Sequence, residues 1–523
     1  MILERLSFKK ILVYLSIIGV IGFSLRLNFF LFEVPLTFDS LEYFFYAMDI
    51  SVIGSLPQNY TPINNGWPIF LSVFFSLFSF EDSISFMELQ RIISVVISTL
   101  TIIPIYYLCN KFVTSTYSIV GAGIFAFEPR IIQNSLLGIA DPLYIFLTAT
   151  SIWMIFSSKQ KFIYFSFALA SLSTIVRSEG LFLFLAISII FILKNRRTRV
   201  VIPKYILAVI IFLLIIAPIS LYRIDVQGTD GIFYRVSSSI NASLDPPKYI
   251  DPNWITPPRS IQDSIFTSFE NFPKYLIWDL IPIFIFFIPI GIIFLFREIN
   301  WKKAGIIISI ISMSLPALFA YSLPLNDTRY FYFLYPLFCV VSVIGLPKIL
   351  KRFKKENVLI LLLIGILISS SIFMQFKMWD KEHELEAYKI AKFIVENTQG
   401  VNQFPEDLYI QSAQIPKSTV DLQSYFNIER EKMISVKEST LNKIQVIPTK
   451  GHNSLDKFID FGEKNGLTHV VISENKVNYL NISVFDEKNY PFLIKEFDSR
   501  DKNFKNYVKI YKIDFEKFYQ FKN

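Results

Sequence analysis

Residues 11–32 read ILVYLSIIGVIGFSLRLNFFLF, and residues 33–54 continue EVPLTFDSLEYFFYAMDISVIG. The first block carries a single charge, Arg26, and is long enough as a helix to cross about 30 Å of hydrocarbon. In the second block Asp39, Glu42, Tyr46 and Asp49 recur at i, i+3, i+7 and i+10, which puts them on one helix face. Leu41, Phe44, Phe45, Met48 and Val52 form the opposite stripe. That spacing predicts an interfacial helix with its apolar face down and its acids towards an aqueous cleft. Asp39 and Glu42 are the candidates there for contact with a headgroup, and Asp49 reads as solvated. Asp39 is set apart by its place at the helix start, after Pro35, where a helix N-terminus favours an ionised carboxylate.

The rest of the first 375 residues repeats the spanning pattern. Further apolar runs fall near 86–108, 114–127, 140–157, 161–177, 179–194, 204–222, 275–296, 304–323, 330–347 and 357–375, which makes about 11 spans. Trp67–Phe80 is apolar but too short, and is expected to lie along the membrane. Of the chain's 523 residues 53% are hydrophobic and only 18% charged, outside the range of soluble domains. Arg26 and the missing small-residue cleavage site predict a retained first span rather than a signal peptide. The whole net charge of +8 belongs to this region, because residues 376–523 hold 22 Lys/Arg against 22 Asp/Glu. The loops KFVTST, SSKQK, KNRRTR, REINWKK and KILKRFKKE alternate with acidic ones, so the positive-inside rule predicts a cytoplasmic N-terminus. The N-x-[ST] triplets at Asn59, Asn241, Asn326 and Asn481 then fall outside. The expected location is a cell membrane, crossed many times, with membrane lipids as constant partners and no nucleic acid.

Several chemistries are excluded. Cys109 and Cys339 lie inside apolar runs, and all three histidines lie in the last third, so neither a disulfide framework nor an intramembrane histidine cluster is available. There is no phosphate-loop or dinucleotide fingerprint. The polar chemistry instead gathers at the outer helix ends: Arg26, Arg91, Glu128, Arg130, Asp141, Arg177, Glu179, Asp279 and Arg329. Charges at such depth are costly, roughly 2.5–3.5 kcal/mol each at mid-helix on insertion scales. Interhelical ion pairs are one reading, and a water-filled cavity for an anionic headgroup is the other. A transporter or lipid flippase without chemistry is the competing class, though neither an internal repeat nor polar midplane helices can be seen.

Residues 376–523 read as alternating helix and strand: HELEAYKIAKFIVENT, LYIQSA, SLDKFIDFGEKNG, THVVIS and YVKIYKI. They predict a small extracytoplasmic α/β domain without catalytic residues. His452 and His469 have no metal-ligand spacing.

The Asp39-to-Tyr43 loop after a hydrophobic helix resembles the first outer loop of GT-C glycosyltransferases. The resemblance continues through GWPIFLSVFFSLF, NSLLGIADPLYIFL, TIVRSEGLFLF and NDTRYFYFLYP, in that order, and is nearest to the protein mannosyltransferase and aminoarabinose transferase branch. It implies transfer of a sugar from a polyprenyl- or dolichyl-phosphate carrier to an acceptor glycan, lipid or protein. Asp141 matches that branch's second-loop aspartate, and Arg329-Tyr330 its late Arg-Tyr motif. The branch often carries Glu-Lys-Pro-Pro ahead of the interfacial helix, where this chain has Asn64-Asn65-Gly66-Trp67-Pro68, and the WWDYG-type motif of oligosaccharyltransferases is absent. Glycosyl transfer needs a base and positive charge for the leaving phosphate. Asp39 is the candidate base and Arg329 the candidate phosphate ligand, with Arg177 or Arg130 beside it. Asp141 and Glu128 would position the acceptor or the base, or hold a divalent cation such as Mg or Mn.

Overall fold

A computed structural model describes residues 6–522, apart from 37–38, 59, 81, 197–199, 236, 239–260, 323–326, 351–356, 378–380, 403–444, 448–453, 474–486 and 506. The four N-x-[ST] asparagines and the strand expected at LYIQSA lie outside the described residues. The chain forms two units.

The first unit comprises Met1–Phe30, Gly54–Phe74 and Gln90–Met378. Six helices among the described residues are long and apolar enough to cross a bilayer, or seven if one bent pair counts as a span. The expected straight span at 275–296 is not found. Helix Ile261–Asp279 ends within it, helix Phe284–Phe296 begins after a break of four residues, and the two meet at 112°. Pro282 explains the break, since it lacks the N–H that a continuous helix would need. The predicted short segment is a helix of ten residues, α3 (Gly66–Phe75), about 15 Å long and half the hydrocarbon thickness.

Four shorter apolar helices form the middle of this unit: α6 (Ser115–Phe127), α8 (Asp141–Ile155), α9 (Gln160–Val176) and α10 (Gly180–Asn195). The interface between α8 and α9 is made by small hydroxyl residues, as expected where lipid removes the hydrophobic drive between helices. Ser151 and Ser166 are in mutual contact, their hydroxyls 3.1 Å apart, and Thr148 lies 3.3 Å from Ser173. Arg26, in α1 (Phe8–Asn28), is fully buried, donating to the carbonyls of Gly22 and Ala126 and to Ser98 Oγ. It is a clamp between helices rather than part of a headgroup cavity.

The second unit comprises Leu31–Ile53, Phe75–Leu89 and Trp379–Asn523. Its sheet runs β2-β1-β3-β5-β4, with β1 (Gly400–Asn402) parallel to β2 (Gln445–Ile447) and to β3 (His469–Ser473). The last strand, β5 (Val508–Ile513), is antiparallel to β3 and to β4 (Leu493–Asp498). Strand alternation sends Val470, Ile472, Tyr511 and Ile513 to one face, against Leu455, Phe458 and Phe518. Val471, Val508 and Ile510 face the other way, onto Ala387, Ile390 and Ile394 of the helix Lys381–Asn397. The result is a helix–sheet–helix sandwich.

The first-loop helix, α2 (Asp39–Ile53), begins at Asp39 as expected but is not an interfacial helix with one wet face. Asp39 is exposed and Glu42 half-buried, yet Tyr46 and Asp49 on the same face are fully buried. The opposite stripe is also covered, Phe44 against Phe75 and Phe75 against Phe86 with ring centroids 5.8 and 5.4 Å apart. A polar stripe flanked by Tyr43 and Ala47 has the same period whether it is solvated or buried, so spacing alone could not separate the cases. Only the first turn of α2 meets solvent on its acidic face.

Candidate active site

Three groups of ionisable side chains sit at helix ends in the first unit. The first joins α8, α9 and α10. One Arg177 Nη donates to Asp141 Oδ1 in a short contact, and the other donates to Glu179 Oε1 at 2.6 Å. Asn134 Nδ2 donates to Asp141 Oδ2 at 2.9 Å, and the Arg177 guanidinium lies 6.0 Å from the Tyr144 ring. The side chains of Asp141, Glu179 and Arg177 are 6%, 16% and 20% exposed, so the knot is largely shielded and yet touches solvent. Two carboxylates and one guanidinium leave it one negative charge in excess. Neighbouring Gly66 is required by space, because a Cβ there would stand 2.7 Å from the backbone of Val176.

The second group is closed. Glu128 ends α6, Arg130 opens the short helix α7 (Pro129–Ser135), and Asp279 ends the Ile261–Asp279 helix. Arg130 Nε lies 3.6 Å from Asp279, one Arg130 Nη donates to Trp278 O at 2.6 Å, and Trp278 and Phe373 cover the guanidinium at 5.4 and 5.5 Å. Tyr335 Oη donates to Asp279 O at 3.2 Å. Glu128 is fully buried, with both carboxylate oxygens unpartnered among the described residues. Arg130 was expected beside the carrier phosphate, and Glu128 was expected to position the acceptor or the base or to hold a cation; here both are buried.

The third group lies at the 3₁₀ turn Thr328–Leu334. Arg329 Nε donates to Asp327 Oδ2 at 2.5 Å, and the two side chains are 36% and 35% exposed. Phe333 of this turn packs edge-on against Tyr144 of α8, centroids 5.9 Å apart, which brings the turn beside the first group. Arg235 is within electrostatic reach of Glu179. Sequence reasoning placed Glu179 and Asp279 in the outer polar cluster without giving them a role, and did not single out Asn134 or Asp327. Glu179 and Asp327 were each two residues from an assigned arginine, but no periodicity marks Asn134.

The residues ahead of α3 are held from α11 (Val201–Gln227). Arg223 donates to the carbonyls of Pro62 and Ile63 at 3.0 and 3.1 Å and to Asn65 Oδ1 at 2.6 Å. Trp67 Nε1 and Gln90 Nε2 both donate to Gly138 O, at 3.0 and 2.7 Å. Where the resembled branch often has charge, this chain therefore has a neutral loop fixed by an arginine from a distant helix.

Among the described residues no three His, Cys, Asp or Glu side chains gather as metal ligands. The two carboxylates that converge, Asp141 and Glu179, are both taken up by Arg177. This donor set does not suit a divalent cation, and no step below passes through one.

This architecture is the GT-C fold, in a multi-pass membrane protein. The structure matches ArnT of Cupriavidus metallidurans bound to undecaprenyl phosphate over 97% of this chain and 98% of that one, with TM-score 0.56 and 10% identity. It also matches the archaeal oligosaccharyltransferase AglB of Archaeoglobus fulgidus in complex with an inhibitory peptide and a dolichol-phosphate, with TM-score 0.53 and 12% identity over 89% and 69% of the two chains. The same enzyme's complex with zinc and sulfate gives TM-score 0.53 and 12% identity over 88% and 67%. No protein-family model matches the sequence, and no curated relative does.

Proposed function

We propose that the protein is a glycosyltransferase that moves a sugar from a polyprenyl- or dolichyl-phosphate carrier to an acceptor hydroxyl on the outer face of the membrane. The observation that carries this reading is the Asp141–Arg177–Glu179 knot at adjoining helix ends in a GT-C fold. Transfer requires the acceptor to lose a proton as the phosphate leaves with negative charge. Asp39 is the base: it is exposed at the start of α2, where an acceptor hydroxyl can reach its carboxylate. Asp141, held by Arg177 and Asn134, positions the acceptor. Arg329 and Tyr330 receive the carrier phosphate, because a half-exposed guanidinium can exchange Asp327 for a dianion and bind it bidentately. The neighbours carry dolichol-phosphate with an inhibitory peptide, or undecaprenyl phosphate, which supports a lipid-linked donor and leaves the acceptor class open.

An apolar cavity of about 210 Å³ supports a place for the carrier's tail. It is lined by Pro282, Ile283, Phe286 and Phe287 at the bend and by Leu362, Gly365 and Ile366 of the helix Asn357–Lys377. The test is incubation of the purified chain with radiolabelled polyprenyl-phosphate sugars. Transfer to an acceptor, or slow release of sugar to water, is expected. A donor left intact by the wild-type protein across sugars and acceptors would return the flippase reading to first place.

A further inference from the structure

At the end of the first unit that the charge asymmetry predicts to be cytoplasmic, three lysines from distant parts of the chain converge. Lys111 lies in the turn between α5 (Ile102–Cys109) and α6, Lys194 ends α10, and Lys302 opens the helix Trp301–Ala320. Lys302 Nζ donates to the Lys111 carbonyl at 3.4 Å. Lys194 Nζ donates to the carbonyls of Ile155, at 3.0 Å, and Ser157, and rests 5.6 Å from the Trp301 ring. Lys194 is within repulsive range of both other ammonium groups. Among the described residues none of the three has a carboxylate in ion-pair contact. Phe112, Phe156 and Trp301 pack in series beside them, edge-on and tilted, with centroids 5.4 and 5.8 Å apart.

Positive-inside anchoring explains lysines that reach outward singly into headgroups. It does not explain lysines gathered from three segments against one aromatic floor, repelling each other without an acid. Ammonium groups held so, half out of water, are relieved by a polyanion that spans them. We propose that Lys111, Lys194 and Lys302 form a binding site for a phosphate-bearing anion on the face opposite the candidate active site. An anionic phospholipid headgroup brings the phosphate in from the membrane; a soluble phosphate ester reaches the same place from water. Trp301, 37% exposed, gives the ring on which a glycerol backbone can lie, and buried Phe156 supports it from beneath. The site is independent of the glycosyl-transfer reading.

The test uses the full chain in neutral detergent with phosphatidylcholine, following thermal unfolding while phosphatidylglycerol is titrated in. A second arm adds glycerol 3-phosphate or inorganic phosphate without anionic lipid. A saturable rise in midpoint is expected in at least one arm, and which arm shows it identifies the source. Lys302→Gln and Lys111→Gln should reduce apparent affinity about tenfold or more, whereas Lys302→Arg should keep most of it, because charge is retained. Lys161→Gln, an exposed lysine on the same face, should leave the titration unchanged. Lys194 is left intact because it also caps α8. No shift in either arm, or an equal shift in wild type and both Gln variants, overturns the proposal. If a Gln variant fails to fold, the Lys302→Arg and Lys161→Gln pair decides: equal losses of affinity in both would mean general surface charge and no site.

Discussion

Arg177 is the residue whose removal separates structure from chemistry most cleanly. Arg177→Met deletes the cation that holds both Asp141 and Glu179, whose side chains are 6% and 16% exposed. Breaking a buried pair by removing one partner costs about 3–5 kcal/mol, because the remaining charge stays uncompensated. Here two carboxylates are stranded: Asp141 keeps a donor from Asn134, and Glu179 keeps the longer-range attraction of Arg235. The expected loss is therefore about 3–5 kcal/mol, read as the change in unfolding free energy in graded SDS–detergent mixtures. Arg177→Lys should recover about half, since one ammonium cannot reproduce two parallel guanidinium contacts. The triple variant Asp141→Asn, Arg177→Gln, Glu179→Gln removes every charge together. Its stability should return to within about 1 kcal/mol of wild type, as replaced ion pairs often do. Sugar transfer should nonetheless stay reduced at least about 10²-fold. Two results refute the reasoning. Arg177→Met within about 1 kcal/mol of wild type would mean that the knot stabilises nothing, and a triple variant that regains full transfer would make it purely structural.

Asp39→Asn should lower transfer by about 10²–10⁴-fold with unfolding unchanged, and near-full activity would remove Asp39 as the base. Asp49→Ala, at a fully buried position, should cost about 1–3 kcal/mol of stability measured in the same SDS titration, where a solvated aspartate would cost nothing. Arg223→Ala should destabilise by roughly 3 kcal/mol, because three acceptors at Pro62, Ile63 and Asn65 lose a charged donor, and limited proteolysis should then cut within 57–65. For topology, Ser51→Cys and Lys464→Cys should both react with an impermeant maleimide on intact cells while Lys161→Cys is protected, and the reverse pattern would invert the orientation. His469 is 5% exposed, and burial lowers its affinity for a proton despite the Glu496 contact at 3.1 Å. The unfolded chain therefore takes up more protons, so amide protection of β3 and β5 should hold above about pH 6.5 and fall as pH drops through it; His469→Gln should flatten that slope.

The periodicities that were legible are those that report burial in lipid or alternation in a sheet. The spans at 11–32, 204–222 and 357–375, and the strands at His469–Ser473 and Val508–Ile513, follow from local pattern alone. The break at Pro282 was not legible, since Pro218, Pro289 and Pro316 stand in apolar runs whose helices continue through them. The covered state of Asp49 was not legible. Two environments, water and packed aromatic side chains, accept the same helical stripe when tyrosines and phenylalanines flank the acid. Nor was the partnership of Arg130 with Asp279, far along the chain, whose contact depends on where a bent helix pair returns.

The Asp141–Arg177 contact was within reach, and its logic bears on how a fold persists at 10% identity. α8 starts at Asp141 and runs 15 residues; α9 runs 17 and ends at Val176. The turn between them is only Phe156–Lys159, so the two helices must be antiparallel neighbours. At 1.5 Å per residue their lengths differ by about 3 Å, which sets the first residue of one level with the residue after the other. A carboxylate at the first position and an arginine just past the last therefore meet whatever residues fill the 35 positions between. The intervening sequence is constrained only to be apolar, small where the helices touch, and of matched length. Such a constraint fixes the charges at the helix ends and leaves most of the intervening residues free to change. It also yields a strict expectation. Inserting one alanine into α9, near the middle of its lipid-facing side at Phe165, rotates everything after it by 100° and should part Arg177 from Asp141. Inserting one alanine into the Phe156–Lys159 turn should be tolerated, because loops absorb added length at little cost. Equal loss of stability from the two insertions would show that the pair is placed by something other than the hairpin.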